Sequence, residues 1–189
     1  CAIRKRAVVD RFFANYVPKK HQFTDSYKYA SIMRLDLKEH FRLTAFYLKY
    51  YDSREELLLG YDPGHFSSIV VAQERKQGTE LRVLKEFTCY YPQQQPELAS
   101  AIHEFFGSDV KNKRIRLYYD RAGNKKKEDF EAITTDARIL KRELESFGFS
   151  VELMNEGQST IYYWQQFKLL LLVFGEQSNA FPRVQVDEN

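Results

Sequence analysis

Residues 57–72 have the sequence LLLGYDPGHFSSIVVA, and the interpretation of the fold starts from them. An apolar run ends in one acid, Asp62, and Pro63 with Gly64 supplies the residues of a tight turn. A β-branched run follows, which is typical of two strands joined by a short connection. Because burying an uncompensated carboxylate is unfavourable, we expect Asp62 either to cap the turn or to hold a cation.

A second acid ends a similar run. Residues 114–124 have the sequence RIRLYYDRAGN, in which an apolar and aromatic segment stops at Asp120 and Gly123 follows shortly afterwards. One aspartate at the end of a strand is a weak signal, because aspartate often begins turns. Two predicted strands that each end in aspartate, separated by a hairpin and a helix, are a stronger signal of a shared site.

The composition is that of a globular domain. The chain has 189 residues, 43% hydrophobic, 15% aromatic and 29% charged, which is enough for one domain with a core or for a small domain with an extension. No apolar segment is long enough to predict a membrane span, and no signal peptide is visible. Two cysteines make no disulfide framework and indicate a reducing compartment. A first residue other than Met indicates a piece cut from a larger protein.

Charge is distributed unevenly along the chain. Residues 1–50 contain eleven Lys or Arg against four Asp or Glu, a net charge of +7, whereas residues 51–189 have a net charge of −4. A basic arm on a mildly acidic body suits a polyanionic partner, although a basic segment can also be merely solvated. We therefore predict two regions, a basic connector over residues 1–50 and a folded domain over residues 51–189.

Periodicity and turn residues predict the elements of that domain. Three strands joined by short connections come first and are expected to be antiparallel neighbours. A helix that ends at Gly107, a strand, a helix that ends at Gly148, another strand and a helix that ends at Gly175 come next. The predicted strands cover residues 57–62, 67–73, 81–89, 115–120, 149–154 and a short closing segment at 183–186. Residues 125–127 are three lysines and predict a polar loop.

This order predicts an α/β fold with a mixed five-stranded sheet and helices on both faces. Three meander strands are followed by helix, strand, helix, strand and helix. A right-handed crossover places the fourth strand parallel to the first, on the side away from the second. Asp62 and Asp120 then converge at the same ends of adjacent parallel strands, about 4.8 Å apart. This is the ribonuclease H-like arrangement.

Two carboxylates in such proximity repel one another unless one is protonated or a metal ion bridges them. Hard oxygen ligands without a convergent Cys or His pattern favour Mg²⁺ or Mn²⁺. Two such ions about 3.5–4 Å apart can clamp the attacking water and the leaving oxygen of a phosphodiester. The sequence thus predicts metal-dependent phosphodiester hydrolysis with Asp62 as the bridging ligand and Asp120 as the second ligand.

Several neighbouring residues are candidates for contacts with the DNA substrate. Arg121 and the lysines Lys125, Lys126 and Lys127 follow Asp120 closely and could hold phosphates, or could form a solvated loop. His65 lies in the turn after Asp62 and could touch substrate, although a lone histidine in a turn is more often only exposed.

The two acid-containing segments, LLGYDPG (58–64) and LYYDRAGN (117–124), resemble the nuclease domain of tailed-bacteriophage terminase large subunits. Residues 135–138 (TDAR), 154–156 (MNE) and 159–160 (ST) are also similar to relatives of that family. The resemblance implies a ribonuclease H-like endonuclease that cuts concatemeric double-stranded viral DNA during genome packaging. It also implies two Mg²⁺ or Mn²⁺ ions and a location in the cytoplasm of the bacterial host.

The same resemblance implies partners. A packaging ATPase domain is expected in the same polypeptide, together with a portal protein and a small terminase subunit. The chain has no Gly-x-x-x-x-Gly-Lys-Ser/Thr phosphate loop, so that ATPase is expected outside it. Residues 1–50 are similar to the tail of the ATPase region and its connector. The family uses a third acid on a helix, which Asp187 and Glu188 do not match, and we expect it beyond Asn189.

Two other functions fit parts of the pattern. An actin-like nucleotide-binding domain uses an Asp-x-Gly hairpin to hold phosphate, and residues 62–64 fit it, but such proteins need two domains around a cleft. A metal-free interaction module of the packaging motor would use both acids only to cap turns. Saturable Mn²⁺ binding distinguishes the nuclease from this module.

Overall fold

A computed structural model of the chain describes residues 17–23, 27–28, 32, 42–64, 66–75, 79–90, 94–124, 126–128, 133–157, 173 and 183–187. The elements in chain order are α1 (Pro18–His21), β1 (Gln22–Phe23), a 3₁₀ turn (Ala45–Tyr47), β2 (Leu57–Asp62), β3 (Phe66–Arg75), β4 (Glu80–Tyr90), α2 (Gln94–Phe106), β5 (Arg114–Tyr119), a second 3₁₀ turn (Arg121–Asn124), β6 (Lys126–Glu128), β7 (Ile133–Thr135), α3 (Asp136–Ser146), β8 (Ser150–Leu153) and β9 (Arg183–Asp187).

The main sheet has the strand order β1-β9-β4-β3-β2-β5-β8 in the described part of the chain. The strands β2, β3 and β4 are an antiparallel meander, and β5 and β8 continue the sheet in parallel from β2. These five strands confirm the predicted ribonuclease H-like mixed sheet and its crossover. Two further strands widen it, because β9 pairs in parallel with β4 and β1 pairs in parallel with β9.

One face of the sheet carries the core. Alternate residues of β2 are buried on this face, namely Leu57, Leu59 and Tyr61, as the two-residue period of a strand requires. The helices α2 and α3 pack on the same face and contribute apolar side chains such as Ile102 and Leu140. The strands of the meander were predicted correctly because apolar and β-branched runs between turn residues are typical of buried strands.

The helix α3 begins and ends for local reasons. The hydroxyl of Thr135 accepts a hydrogen bond from the Arg138 N–H and caps the start of α3. Gly148 follows that helix with a positive φ of 83°, a backbone conformation that glycine adopts without strain.

No helix in the described ranges is long and apolar enough to cross a membrane. The predicted third helix, residues 160–174, lies outside the described residues apart from Val173, which is helical.

The opposite face of the sheet is more polar. Arg116 forms ion pairs with Glu56 at 2.5 Å and with Glu74 at 3.2 Å, and Arg114 pairs with Glu152 at 2.9 Å. These pairs join β5 to its neighbours across the sheet. The Arg116 pairs are partly buried and the Arg114–Glu152 pair is exposed, so each contributes modestly to stability.

The lysine-rich segment differs from the predicted loop. Residues 126–128 form β6 and pair with β7 in a separate antiparallel hairpin, whose second strand consists of Ile133, Thr134 and Thr135. These β-branched residues favour a strand and provide the pairing that the lysines alone do not predict. Lys125 lies outside the described residues.

Parts of the segment before residue 50 pack on the domain. Ala45 and Leu48 are buried in the core, and the backbone of Tyr27 pairs with that of Leu48. His21 is buried near the start of β1, where its Nδ1 accepts a hydrogen bond of 2.9 Å from the Val17 N–H. The predicted boundary near residue 50 stays a prediction, and most of residues 1–41 lie outside the described ranges.

Candidate active site

The two predicted acids lie at the same edge of the sheet on neighbouring parallel strands. Tyr61 of β2 is paired with Tyr119 of β5, and continuing this register by one residue places Asp62 beside Asp120. Adjacent strands are about 4.8 Å apart, so the backbones of the two acids are close. Both acids are exposed. The structure therefore brings together two carboxylates that the sequence separates by 58 positions.

The tyrosines that precede the acids anchor the strand ends in the core. Tyr61 and Tyr119 are 3% and 7% exposed, on the face opposite to the acids. The Gln95 amide donates hydrogen bonds to the Tyr61 hydroxyl at 3.0 Å and to the Asp136 carboxylate at 2.8 Å. Burial raises the pKa of Tyr61 to about 12, and the Asp136 carboxylate adds to the shift. The phenol is therefore neutral at pH 7 and accepts the amide hydrogen bond.

Three hydrogen bonds hold the turn after Asp62. The Gln94 amide donates to the Gly64 carbonyl oxygen, which also accepts a hydrogen bond of 3.1 Å from the Ser67 hydroxyl. The Gly64 N–H donates to the same hydroxyl at 3.3 Å. Gln94 and Gln95 are the first residues of α2, so the helix start fixes both the turn and the strand end beneath Asp62.

Asn155 holds the end of β5 in a comparable way. Its side-chain oxygen accepts a hydrogen bond of 3.1 Å from the Tyr119 N–H, and its carbonyl oxygen accepts one of 3.2 Å from the Asn124 amide. The 3₁₀ turn after Asp120 closes with a hydrogen bond of 3.1 Å from the Gly123 N–H to the Asp120 carbonyl oxygen. The backbone on both sides of Asp120 is therefore tied to the loop after β8.

The predicted DNA-contacting residues are described to different extents. Arg121 begins the 3₁₀ turn directly after Asp120, and Lys126 and Lys127 are the first two residues of β6. Their backbones therefore lie a few residues from Asp120, and their roles stay predictions. His65 and Lys125 lie outside the described residues.

The pair of acids fits a hard divalent cation as part of a ligand set. Within the described ranges, no group of three or more His, Cys, Asp or Glu side chains converges on one point. Mg²⁺ sites in proteins commonly use one or two carboxylates and complete their octahedral shell with waters and substrate phosphates. Two exposed carboxylates at an open sheet edge match this donor set, and they leave room for a third ligand from residues not described.

The sequence predicted that the two acids are neighbours, but it did not predict the residues that support them. Gln94, Gln95 and Asn155 are uncharged amides at a helix start and in a loop, where no periodicity distinguishes them from solvated polar residues. One signal was available. Gln94 and Gln95 are consecutive glutamines at the first turn of α2, directly after β4, and this position lets their side chains reach polar groups at the end of β2.

Comparisons with known proteins agree on the fold. No family model and no curated protein matches the sequence. Among solved structures, the nuclease domain of the P22 large terminase has 11% sequence identity and a TM-score of 0.51, with 94% of this chain and 72% of that chain covered.

The large terminase of a thermophilic bacteriophage, solved in complex with ADP, also has a TM-score of 0.51, at 7% identity. That match covers 94% of this chain and 33% of the other, so the chain spans about a third of that larger protein. At sequence identities this low, the similarity shows a shared fold. The chain has the fold of terminase nuclease domains.

Proposed function

We propose that this chain supplies the nuclease domain of a tailed-phage terminase large subunit. In this proposal it is an endonuclease that depends on Mg²⁺ or Mn²⁺ and hydrolyses phosphodiester bonds of concatemeric double-stranded viral DNA during packaging. The observation that carries the proposal is the register of β2 and β5, which sets Asp62 beside Asp120 at an exposed edge. The shared fold with the P22 nuclease domain supports it independently of these two residues.

Asp62 and Asp120 would hold the metal ions through their carboxylates. Bound there, such ions would supply Lewis-acid stabilisation of the charge that develops during phosphodiester hydrolysis. The surrounding residues orient the carboxylates. Gln94 and Ser67 fix the turn after Asp62, and Asn155 fixes the backbone before Asp120.

Substrate contacts complete the proposed site. Arg121, Lys125, Lys126 and Lys127 are proposed to neutralise phosphates on the β5 side of the acids, because counterion release drives DNA binding by basic residues. His65 is proposed to contact the DNA from the turn after Asp62. These contacts position the backbone of the DNA and carry no sequence preference of their own.

The proposed biological setting follows that of large terminases. Residues 1–50 would connect the nuclease to a packaging ATPase in the same polypeptide, and residues 51–189 would form the nuclease body. The full protein would work with a portal protein and a small terminase subunit in the cytoplasm of the bacterial host.

Nicking of supercoiled plasmid DNA by the full-length protein tests the proposal. Wild-type protein is expected to nick with Mn²⁺ and not with EDTA, and Asp120→Ala and the isosteric Asp120→Asn are expected to abolish nicking. Glu145→Ala is a matched control, because Glu145 is an exposed carboxylate near the far end of α3, paired with Lys141 at 3.6 Å. Unchanged nicking by Asp120→Ala would remove this acid from the mechanism. If the wild-type protein shows no saturable Mn²⁺ binding, the result would favour a metal-free interaction module.

A further inference from the structure

In the described part of the chain, four large apolar side chains are exposed on one face of the main sheet. Phe66 is 49% exposed, Tyr90 is 71% exposed, and Val70 and Tyr118 are each 36% exposed. Residues paired across strands, and residues two apart along one strand, share a face of the sheet. The strand register therefore decides where these side chains lie relative to the two acids.

The register places Phe66 and Tyr90 on the face and at the edge of Asp62. Asp62 is paired with Ser68, and Phe66 lies two residues from Ser68, so both share the face of the acid. Phe66 is paired in turn with Tyr90 of β4. With strands about 4.8 Å apart and two residues spanning about 6.8 Å, the Phe66 backbone is about 8 Å from that of Asp62.

Val70 and Tyr118 lie on the same face, further from the edge. Both are paired with Gly60, one from β3 and the other from β5, and Gly60 lies two residues before Asp62. Tyr118 likewise lies two residues before Asp120. Because Gly60 has no side chain, the surface between Val70 and Tyr118 is open, and it leads to the two acids.

Phe66 and Tyr90 form an aromatic pair that can accept a base. Their ring centroids are 5.1 Å apart with an interplanar angle of 61°, an edge-to-face arrangement. Such a cross-strand pair stabilises its hairpin, but contact between the rings leaves most of Tyr90 in solvent. A base or sugar stacked on these rings would bury apolar surface that the protein itself leaves exposed.

We propose that Phe66 and Tyr90 are a stacking platform for bases next to the scissile phosphate. The preferred substrate is then DNA with unpaired or unstacked bases at the cut, because the faces of bases inside an intact duplex are covered by their neighbours. The Phe66 backbone is about 8 Å from that of Asp62, and Tyr90 lies one strand further away, so a DNA strand bound at the acids can reach the platform with a neighbouring base. The inference rests on the proposed nuclease function and specifies its substrate.

DNA is the occupant that this position favours. Phe66 and Tyr90 share one face and one edge of the sheet with Asp62 and Asp120, and the strand of Phe66 is next to that of Asp62. A protein docked there would cover the reaction edge, whereas a nucleic-acid strand that runs over the aromatic pair leads directly to the carboxylates.

The test measures DNA binding without cleavage, in full-length protein that carries Asp120→Asn. The probes are a single-stranded oligonucleotide with 2-aminopurine, whose fluorescence falls on stacking, and the same sequence as a duplex. Tyr90→Leu and Phe66→Leu are expected to weaken single-strand binding about tenfold and to remove the fluorescence change. Tyr90→Phe is expected to retain both. The slope of log affinity against log salt should stay unchanged, because no phosphate contact is lost.

Phe46→Leu is the matched control. Phe46 is also exposed, at 56%, but its N–H donates to Asp109 just beyond the C-terminal end of α2, the helix whose start lies at the edge with the acids. This variant should bind like its parent. Equal single-strand affinity of Tyr90→Leu and its parent would overturn the inference, and so would equal weakening of duplex and single-strand binding. A different result would contradict the nuclease proposal itself, namely nicking of plasmid DNA by the Asp120→Asn variant.

Discussion

Two carboxylates side by side destabilise a sheet edge unless solvent or a cation screens their repulsion. Asp62 and Asp120 are on the exposed face, whereas the tyrosines that precede them are buried in the core. The alternation of a strand therefore anchors each acid through its neighbour and keeps the acid itself on the surface, where a ligand can reach it. Amide side chains from α2 and from the loop after β8 then fix the backbone at these two positions.

Asn155→Ala tests this support at the residue scale. The change leaves the Tyr119 N–H without its acceptor, so we expect a loss of about 1 kcal/mol in the free energy of unfolding and weaker Mn²⁺ binding. Asn112→Ala is the matched control, because Asn112 accepts a 3.1 Å hydrogen bond from the Arg114 N–H at the other end of β5. Urea unfolding and Mn²⁺ titration measure both effects. Loss of Mn²⁺ affinity in the Asn112 variant as well would contradict a local role for Asn155.

The proximity of the two acids was predictable from the sequence and the residues that support them were not, for a physical reason. An acid that ends an apolar run breaks a pattern, and the handedness of the crossover then places Asp62 beside Asp120. Asn155 and Gln94 break no pattern, since polar residues are normal in loops and at helix starts. Their function comes from contacts between residues 30 or more positions apart, which only the folded chain reveals.

At the scale of elements, the short 3₁₀ turn after Asp120 depends on close packing. A Cβ atom on Gly123 would lie 2.7 Å from Cδ2 of the buried Tyr119 ring, closer than real Cβ contacts allow. Glycine is therefore needed here because the turn approaches the strand that it follows. The turn and the end of β5 act as one unit beside the acid.

Gly123→Ala is expected to lower the free energy of unfolding by about 1–3 kcal/mol, because the buried ring or the turn must shift. Gly60→Ala is the control, since its Cβ would lie 4.0 Å from the nearest backbone oxygen, in ordinary contact. Chemical denaturation of the two variants measures the difference. Equal stability of Gly123→Ala and wild type would show that the turn has more space than the structure gives it.

Elements with a buried alternating pattern were predictable, and elements held only by pairing were not. The meander strands follow from apolar runs between turn residues, and α2 and α3 follow from apolar periodicity. The hairpin β6-β7 contains lysines and threonines, and β1 has only two residues, so neither carries a pattern. A closing strand was predicted at residues 183–186 and is observed as β9, but its parallel pairing with β4 is a long-range contact that local sequence does not specify.

In the whole molecule, the surface near the acids has a basic side and an aromatic side. Basic residues follow Asp120 on the β5 side, and the exposed aromatic pair lies on the β3 and β4 side. Phosphate contacts and base contacts affect binding differently, because only the former release counterions. Substitutions on the basic side should therefore change the salt dependence of DNA affinity, and substitutions on the aromatic side should not.

The variant Lys126→Ala with Lys127→Ala is expected to weaken duplex binding for all sequences and to reduce the salt slope by about 2, one unit for each lost phosphate contact. Lys141→Ala is the control, because Lys141 lies on α3 and pairs with Glu145. Fluorescence anisotropy at several salt concentrations measures the slope. An unchanged slope in the double variant would place these lysines away from the DNA.

Isothermal titration calorimetry of the full-length protein with Mn²⁺ measures whether Asp62 and Asp120 hold the same ion. If Asp62 and Asp120 share an ion, each of Asp62→Asn and Asp120→Asn should lower the affinity at least about tenfold, and the double variant should be little weaker than either single variant. Wild-type affinity in both single variants would contradict the shared site.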